Sequence, residues 1–165
     1  RQQVEVVTRR NPAREERLRA AAIPVHILPF GSMVDIFTPL RLKKIIGAFQ
    51  PHIVQTWMSR AAQKTPRWQK SDGVPRYLVV SRLGGYYKPG HFASSEYFTT
   101  ITPDIKRHLE KAGIAGARVR HINNFADLET AAGPADRAAL DTPAEAKLLL
   151  SLGRLHGAKG FDVLL

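Results

Sequence analysis

The segment SLGRLHGAKG, residues 151–160, carries the residues of this chain best suited to bind a phosphate group. Gly153 follows an apolar run, and two cations, Arg154 and Lys159, lie five positions apart before a predicted helix. Glycine lets the backbone approach a ligand closely, and a helix start offers free N–H groups to phosphate oxygens. Arg154 can bind a phosphate through two parallel hydrogen bonds, and Lys159 can add a point charge. The alternative is an ordinary loop with two solvated cations. The segment is not a Walker loop, because Gly160 follows the lysine where Ser or Thr is required.

A second candidate site is the glycine- and tyrosine-rich loop SRLGGYYKPG, residues 81–90, which follows a predicted buried strand. Paired glycines let backbone amides face a cleft, and tyrosine rings can stack on a sugar ring. The alternative is a surface loop closed by its own tyrosines. Trp57, at the end of another predicted strand, can line the same cleft or pack as an ordinary core residue. The candidate cleft residues are Ser81, Arg82, Gly84, Gly85, Tyr86, Tyr87 and Trp57.

Alternating strand and helix patterns position these loops. Apolar or β-branched runs predict strands at 4–8, 24–28, 52–56, 77–80, 97–101, 118–122 and 147–152. Cap signals and apolar periodicity predict helices over 12–22, 38–49, 59–70 and 103–112, and one starting at Gly160. Strands separated by helices predict βαβ units, hence an α/β protein with a Rossmann-like parallel sheet and helices on both faces. Ligands of such a sheet bind beyond the carboxyl ends of its strands, where both candidate loops lie.

Composition narrows the classes of partner. The chain has 165 residues, a net charge of +11 and no cysteine, which excludes disulfides, thiolate nucleophiles and cysteine-ligated metals. Residues 1–76 carry 14 basic and 5 acidic side chains, so most of the positive charge lies in the first half. No apolar run reaches the length of a membrane helix. The chain is expected to be cytoplasmic, with peripheral contact to the inner face of an anionic membrane or to acidic glycans, or to use its charge for solubility alone. The cations expected to make that contact are Arg14, Arg17, Arg19, Arg41, Lys43 and Lys44.

Three stretches share patterns with one enzyme family: residues 50–56 (QPHIVQT), 119–127 (VRHINNFAD) and 148–165. In this order they resemble a "kPDivht" strand, a "V-x-V-I-x-N-G-V-D" strand and loop, and the opening of the nucleotide-sugar-binding domain of glycosyltransferase family 4. That domain begins with an apolar strand, a Gly-Arg pair and a Lys-Gly pair before a helix. The family is large and retaining, and it has the two-domain GT-B fold.

The resemblance implies one half of a GT-B fold, truncated at both ends. Residues 1–128 would form an acceptor-side Rossmann-like domain whose glycine-rich first strand is missing. Residues 129–146 would form a linker, and 147–165 the first strand and loop of the nucleotide-sugar-binding domain. Within the loop 123–127, Asn124 and Asp127 are expected to be caps.

The resemblance also implies a reaction. A hexosyltransferase-like parent would move a sugar, with retention and without a metal or cofactor, from a UDP-, GDP- or ADP-sugar to a cell-envelope polysaccharide or lipid-linked saccharide. Gly153, Arg154 and Lys159 would bind the donor diphosphate. The catalytic residues stay unassigned, because Leu83 stands where many members have histidine and the paired glutamates of the second domain are not in this sequence. The fragment alone is expected to be inactive.

Two other functions compete with this one. The positive charge alone suggests a basic nucleic-acid-binding α/β module, but no nucleic acid is expected, because the aromatic residues do not form a stacking platform. The stretch Arg67–Lys70 is the local exception. A dinucleotide-dependent enzyme would share the sheet class, but no G-x-G-x-x-G lies at a strand–helix turn.

Overall fold

The computed structural model describes residues 2–31, 34–125, 136–147 and 149–164. The chain divides into two compact units, residues 1–125 and 126–165. The predicted linker 129–146 therefore lies partly outside the described residues, as do Asp127 and residue 148 of the last predicted strand.

The first unit alternates strands and helices as the sequence patterns predict. Its strands are β1 (Val6–Thr8), β2 (Val25–Ile27), β3 (Ile53–Trp57), β4 (Leu78–Leu83), β5 (Tyr97–Thr100) and β6 (Val119–His121). Its α-helices are α1 (Pro12–Ala20), α2 (Phe37–Phe49), α3 (Met58–Lys64) and α4 (Pro103–Lys111), and short 3-10 turns cover Lys70–Asp72, Pro89–Phe92 and Gly116–Arg118. The α/β class is confirmed.

Every strand pairing in the described residues is parallel, but the strands form two sheets. One sheet holds β1 and β2, and the other has the order β3-β4-β5-β6. In the first sheet β2 lies beside β1, and in the second sheet β4, β5 and β6 follow β3 in the order of the sequence. β1 and β3 are thus the first strands of the two sheets, and ligand sites of open α/β sheets lie where the strand order reverses.

The edges of β1 and β3 line a common cleft of about 680 Å³. The Val6 N–H donates to the Pro24 carbonyl, and the His52 carbonyl accepts from the Leu78 N–H, so these groups are used within their own sheets. Successive peptide groups of a strand alternate between its two edges. The peptide groups of Val7 and Gln55 therefore point to the opposite edges, and both residues line the cleft.

The helices that pack on the four-stranded sheet cover one of its faces. α2 contributes Leu42 and Ile46, which pack with Val79, and α3 and α4 contribute residues that pack with Leu83. Val79 and Leu83 lie on the same face of β4, because side chains alternate along a strand. The other face carries Gln55 and Tyr97, which are exposed. The prediction of helices on both faces is therefore wrong for this sheet within the described part of the chain, where helices cover one face.

Short-range capping signals correctly predict where α1 and α4 begin, whereas the N-cap residues of α2 and α3 make no side-chain cap hydrogen bond. The Asn11 side chain accepts a hydrogen bond from the Arg14 N–H at the start of α1, and Thr102 does the same for Ile105 at the start of α4. At α2, the carboxylate of Asp35 accepts from both the backbone N–H and the hydroxyl of Thr38. These two hydrogen bonds lower the pKa of the Asp35 carboxyl to about 2, and the bond from the Thr38 hydroxyl has the larger effect.

Two predicted boundaries in the first unit are wrong. β4 extends to Leu83, so Ser81 and Arg82 lie in the strand and not in the following loop. The helix predicted over 59–70 ends at Lys64, and only a 3-10 turn follows at Lys70–Asp72. β4 is long because it has a neighbour on each side, β3 and β5, over these residues.

The second unit differs from its prediction. The described residues of 147–152 form no strand, and Leu149, Leu150 and Leu152 are exposed. A strand forms by pairing, and no strand is described in this unit for it to pair with. A 3-10 turn covers Gly157–Lys159, and the helix predicted from Gly160 is the single turn α5 (Phe161–Leu164).

Candidate functional site

Arg82 lies at the centre of the polar groups at the carboxyl edge of the four-stranded sheet. Its guanidinium carbon is 4.6 Å from the ring centroid of Trp57, the last residue of β3. One guanidinium nitrogen also donates to the side-chain oxygen of Asn124, which follows β6. The indole of Trp57 is 59% exposed. Arg82 therefore joins the ends of two strands that are not neighbours, and it leaves an aromatic surface open beside a positive charge.

The β3–α3 junction brings the backbone close to the loop after β4. Met58 has φ 68°, which is unusual for a residue with a side chain. A Cβ on Gly84 would lie 3.3 Å from the sulfur of Met58, a tight contact, so Gly84 packs closely against the Met58 side chain. Backbone conformations of this kind concentrate at functional sites.

The two tyrosines of the loop point to different surroundings. The hydroxyl of Tyr87 donates to the Met58 sulfur at 3.4 Å, and its ring packs on Phe92 with centroids 6.0 Å apart. Tyr86 is exposed, and its hydroxyl donates to Asp104 in the first turn of α4. Tyr86 is thus the tyrosine open to a ligand, and Tyr87 holds the loop on the core.

The contact between Tyr86 and Asp104 changes the acidity of both groups. The hydrogen bond to Asp104 raises the pKa of the Tyr86 hydroxyl. The same bond, and next the bond from Arg107, lower the pKa of the Asp104 carboxyl. The hydroxyl therefore stays protonated at neutral pH and serves as a donor.

Ser81 and Gly85 are packing residues. The Ser81 hydroxyl is fully buried and lies 2.6 Å from both the Thr56 and the Ser95 hydroxyls. A Cβ on Gly85 would lie 3.6 Å from the ring of Tyr87, which is an ordinary contact. Leu83, also fully buried, belongs to the core. The structure thus brings Trp57, Arg82 and Tyr86 to the surface and places Ser81 beneath it.

The predicted phosphate loop lies in the second unit. Arg154 and Lys159 are exposed. A Cβ on Gly153 would lie 3.4 Å from the Phe161 ring and 3.7 Å from the Lys159 side chain, which are ordinary contacts, so Gly153 lies beside both side chains. The helix after the loop has only four residues.

The aromatic exception noted for nucleic-acid binding is a packed residue. The indole N–H of Trp68 donates to the Val74 carbonyl at 3.1 Å, and the ring packs against a core cluster that includes Tyr77. Its half-buried ring is therefore engaged in packing on the core rather than presented as a free stacking surface.

The described residues contain no group of three or more His, Cys, Asp or Glu side chains that could hold a metal ion. Within those same residues, no helix has the length and apolar character needed to cross a membrane.

The chain is similar to two curated glycosyltransferases of Rhizobium meliloti (strain 1021). It is 30% identical over 135 residues to the lipopolysaccharide core biosynthesis glycosyltransferase LpsE, a match that covers 81% of this chain and 37% of LpsE. It is 30% identical over 122 residues to the lipopolysaccharide core biosynthesis glycosyltransferase LpsD, covering 73% of this chain and 33% of LpsD. The chain thus spans about a third of the length of these relatives. No family model matches the chain. No solved structure matches it.

Sequence patterns missed the partners of Arg82. Asn124 was expected to be a cap, and its side-chain oxygen accepts a hydrogen bond from Arg82, 42 residues away. No local signal in the sequence encodes that pairing. The signal that existed was topological, because Arg82 near the end of β4 and Asn124 after β6 lie at the same carboxyl edge of one parallel sheet.

Proposed function

We propose that this chain is the acceptor-side part, with the beginning of the donor-side part, of a glycosyltransferase of lipopolysaccharide core biosynthesis. The observation that carries the proposal is the 30% identity to two such enzymes over 81% and 73% of the chain. The α/β fold supports it, and so does the open aromatic and cationic edge formed by Trp57 and Arg82. The acceptor is a cell-envelope saccharide or glycolipid.

The donor in this proposal is a nucleotide sugar, and the transfer is retaining and independent of metal. Arg154 and Lys159 neutralise the diphosphate, which gains negative charge as the glycosidic bond breaks. Their exposure and their position on one short glycine-containing loop support that role. The 165 residues alone are proposed to be inactive, because they hold only an edge of the donor site.

The test uses the full-length protein that contains this chain. It is incubated with lipopolysaccharide core acceptors and with UDP-, GDP- or ADP-sugars, and mass spectrometry measures sugar addition. We expect transfer with one donor, and at least about a tenfold loss of kcat/KM in Arg154→Gln, since a hydrogen bond to a charged phosphate is lost. Lys147→Gln is the control in the same unit. Absence of transfer with every acceptor and donor would refute the proposal.

We further propose that one more parallel strand of the same polypeptide lies between β1 and β3. It would join the two sheets into a single sheet of seven strands. The cleft of about 680 Å³ between two facing edges supports this, as do the peptide groups of Val7 and Gln55 that point into it. Two strand edges that face each other are a template for a strand between them.

Hydrogen exchange tests the added strand. The amides of Val7 and Gln55 should exchange at least about tenfold more slowly in the full-length protein than in the 165-residue chain, because the strand would give them partners. The amide of Leu78, already bonded to His52, is the internal control. Equal exchange of the Val7 and Gln55 amides in both proteins would contradict the added strand.

Peripheral membrane contact is proposed for one face of α2. Phe37, Leu40, Arg41 and Lys44 are exposed and lie at i, i+3, i+4 and i+7, so they share a face that is both apolar and basic. The other predicted cations are partly engaged within the unit. Arg14 and Arg19 contact Thr8 and Glu15, and Lys43 pairs with Asp72 at 2.6 Å.

Co-sedimentation with vesicles tests that contact. Binding to vesicles containing phosphatidylglycerol should exceed binding to pure phosphatidylcholine. The double substitution Arg41→Gln with Lys44→Gln should lower binding about tenfold or more, because each cation contributes about 1 kcal/mol of binding free energy near an anionic surface. Lys111→Gln, which removes an exposed cation from α4, is the matched control. Equal binding to both kinds of vesicle would exclude the electrostatic contribution.

A further inference from the structure

Four side chains form a row across the carboxyl edge of the four-stranded sheet. Trp57 is the register partner of Arg82, Arg82 of Thr99, and Thr99 of Arg120. Register partners in a parallel sheet point to the same face, and neighbouring strands lie about 4.8 Å apart. The row therefore runs over all four strands, on the face opposite the one that α2, α3 and α4 cover.

The row carries two positive charges without a balancing carboxylate. Among the ion pairs of the described residues, none involves Arg82 or Arg120. The described surroundings of Arg82 are an aromatic ring and a neutral amide, which leave its charge unneutralised. Arginine at such a position is suited to planar carboxylates and to phosphates.

Between the two arginines lies a hydroxyl without a partner. The Thr99 Oγ1 atom is buried, and within the described part of the chain it makes no hydrogen bond. A buried polar atom in that state costs free energy, so an unpaired one in a native protein calls for an explanation. A ligand oxygen held between Arg82 and Arg120 would accept a hydrogen bond from this hydroxyl.

Trp57 supplies a second kind of contact at one end of the row. Its ring is largely exposed, and Arg82 lies over it. Sugar rings bind to such surfaces through their apolar C–H faces, while the charged substituent is bound by neighbouring donors. An aromatic surface, two arginines and a free hydroxyl in one row suit a ligand that is both a sugar and an anion.

We infer that the row Trp57–Arg82–Thr99–Arg120 binds the anionic substituent of a negatively charged saccharide, a phosphate or a carboxylate, and so selects an acidic acceptor. That the ligand is a saccharide acceptor rests on the proposed function. The binding of an anion at the row does not, because it follows from the charges and the register alone.

NMR titration of the 165-residue chain tests the inference without requiring catalysis. The probes are glucose 6-phosphate, glucuronate, glucose and inorganic phosphate, each followed through the amide signals of the four row residues. Glucose 6-phosphate or glucuronate should shift these signals and should bind at least about tenfold more tightly than glucose and than inorganic phosphate, since only a charged sugar makes both contacts. A site for sugar phosphates and a site for sugar acids are distinguished by which of the two binds.

Variants locate the binding at the row. Arg82→Gln should weaken it about tenfold, because a charge-assisted bond is lost, and Arg120→Gln about two- to fivefold, because that side chain is exposed. Thr99→Val should weaken binding about two- to fivefold while leaving the free energy of unfolding unchanged or higher, since the hydroxyl has no protein partner. Lys88→Gln, an exposed cation on the loop after β4, is the control and should bind as the parent does.

Several outcomes would overturn the inference. If inorganic phosphate bound as tightly as glucose 6-phosphate, the row would not recognise the sugar. If glucose bound as tightly as glucose 6-phosphate, the row would not recognise the anion. Shifts confined to residues outside the row, or no shifts with any probe, would remove the site. Failure of sugar transfer by the full-length protein, with anion binding intact, would instead contradict the proposed function alone.

Discussion

The segments at residues 81–90 and 151–160 have similar patterns of glycine and basic residues, but their cations have different surroundings in the structure. Arg82 is fixed by a ring at 4.6 Å and by a hydrogen bond to Asn124, on a strand with neighbours on both sides. Arg154 and Lys159 lie exposed on a loop whose preceding leucines are also exposed. A charged residue acquires a defined geometry only where a paired and packed element supports it. The comparison predicts that substitutions in the two regions have very different costs.

The largest difference is expected between two leucines. Leu83→Ala should destabilise the protein by roughly 2–5 kcal/mol, because a fully buried side chain leaves a cavity in the core. Leu152→Ala, at a side chain 84% exposed, should change stability by less than about 0.5 kcal/mol. Urea unfolding monitored by circular dichroism measures both. A large cost for Leu152→Ala would show that the second unit is packed and would break the comparison.

A smaller effect is expected for buried hydroxyls within the first unit. Ser81→Ala should cost about 1–3 kcal/mol, since it leaves the Thr56 and Ser95 hydroxyls without their bonds to Ser81. Thr99→Val is the matched change at a buried hydroxyl without a protein partner, so its cost should be near zero. Equal costs in urea unfolding would mean that the two hydroxyls do not differ as described.

The smallest expected effect depends on pH and belongs to the first unit. Hydrogen bonds from Thr38 lower the pKa of Asp35 from its ordinary 3.8 to about 2. A lowered folded-state pKa gives stability that is fully present above pH 3.8 and is lost as the pH falls through about 2. Asp35→Asn should therefore melt at a lower temperature at pH 6, and its difference from the parent should shrink between pH 4 and pH 2.

Thermal melts across that pH range measure the Asp35 contribution. Glu16→Gln, at an exposed carboxylate of α1, is the control. If the Tm difference caused by Asp35→Asn were constant from pH 6 to pH 2, its carboxylate would not carry the effect.

Local patterns predicted the elements of the first unit but not their extent. Asn11 and Thr102 cap helices as their residue types predict, because an N-cap depends on atoms three residues away. The end of β4 was misplaced, since pairing with β3 and β5 determines how far a strand continues. The described residues of 147–152 do not form the predicted strand. An apolar run forms a strand only where a partner strand pairs with it.

The sequence by itself determined the α/β alternation, the helix starts, the location of the positive charge and the similarity to glycosyltransferases. These properties depend on residue type and on neighbours a few positions away. Only the tertiary structure decided that Ser81 is buried, that Arg82 bonds to Asn124, and that Trp57, Arg82, Thr99 and Arg120 share one row. Strand order and register join residues that lie tens of positions apart, and no local pattern encodes which strands become neighbours.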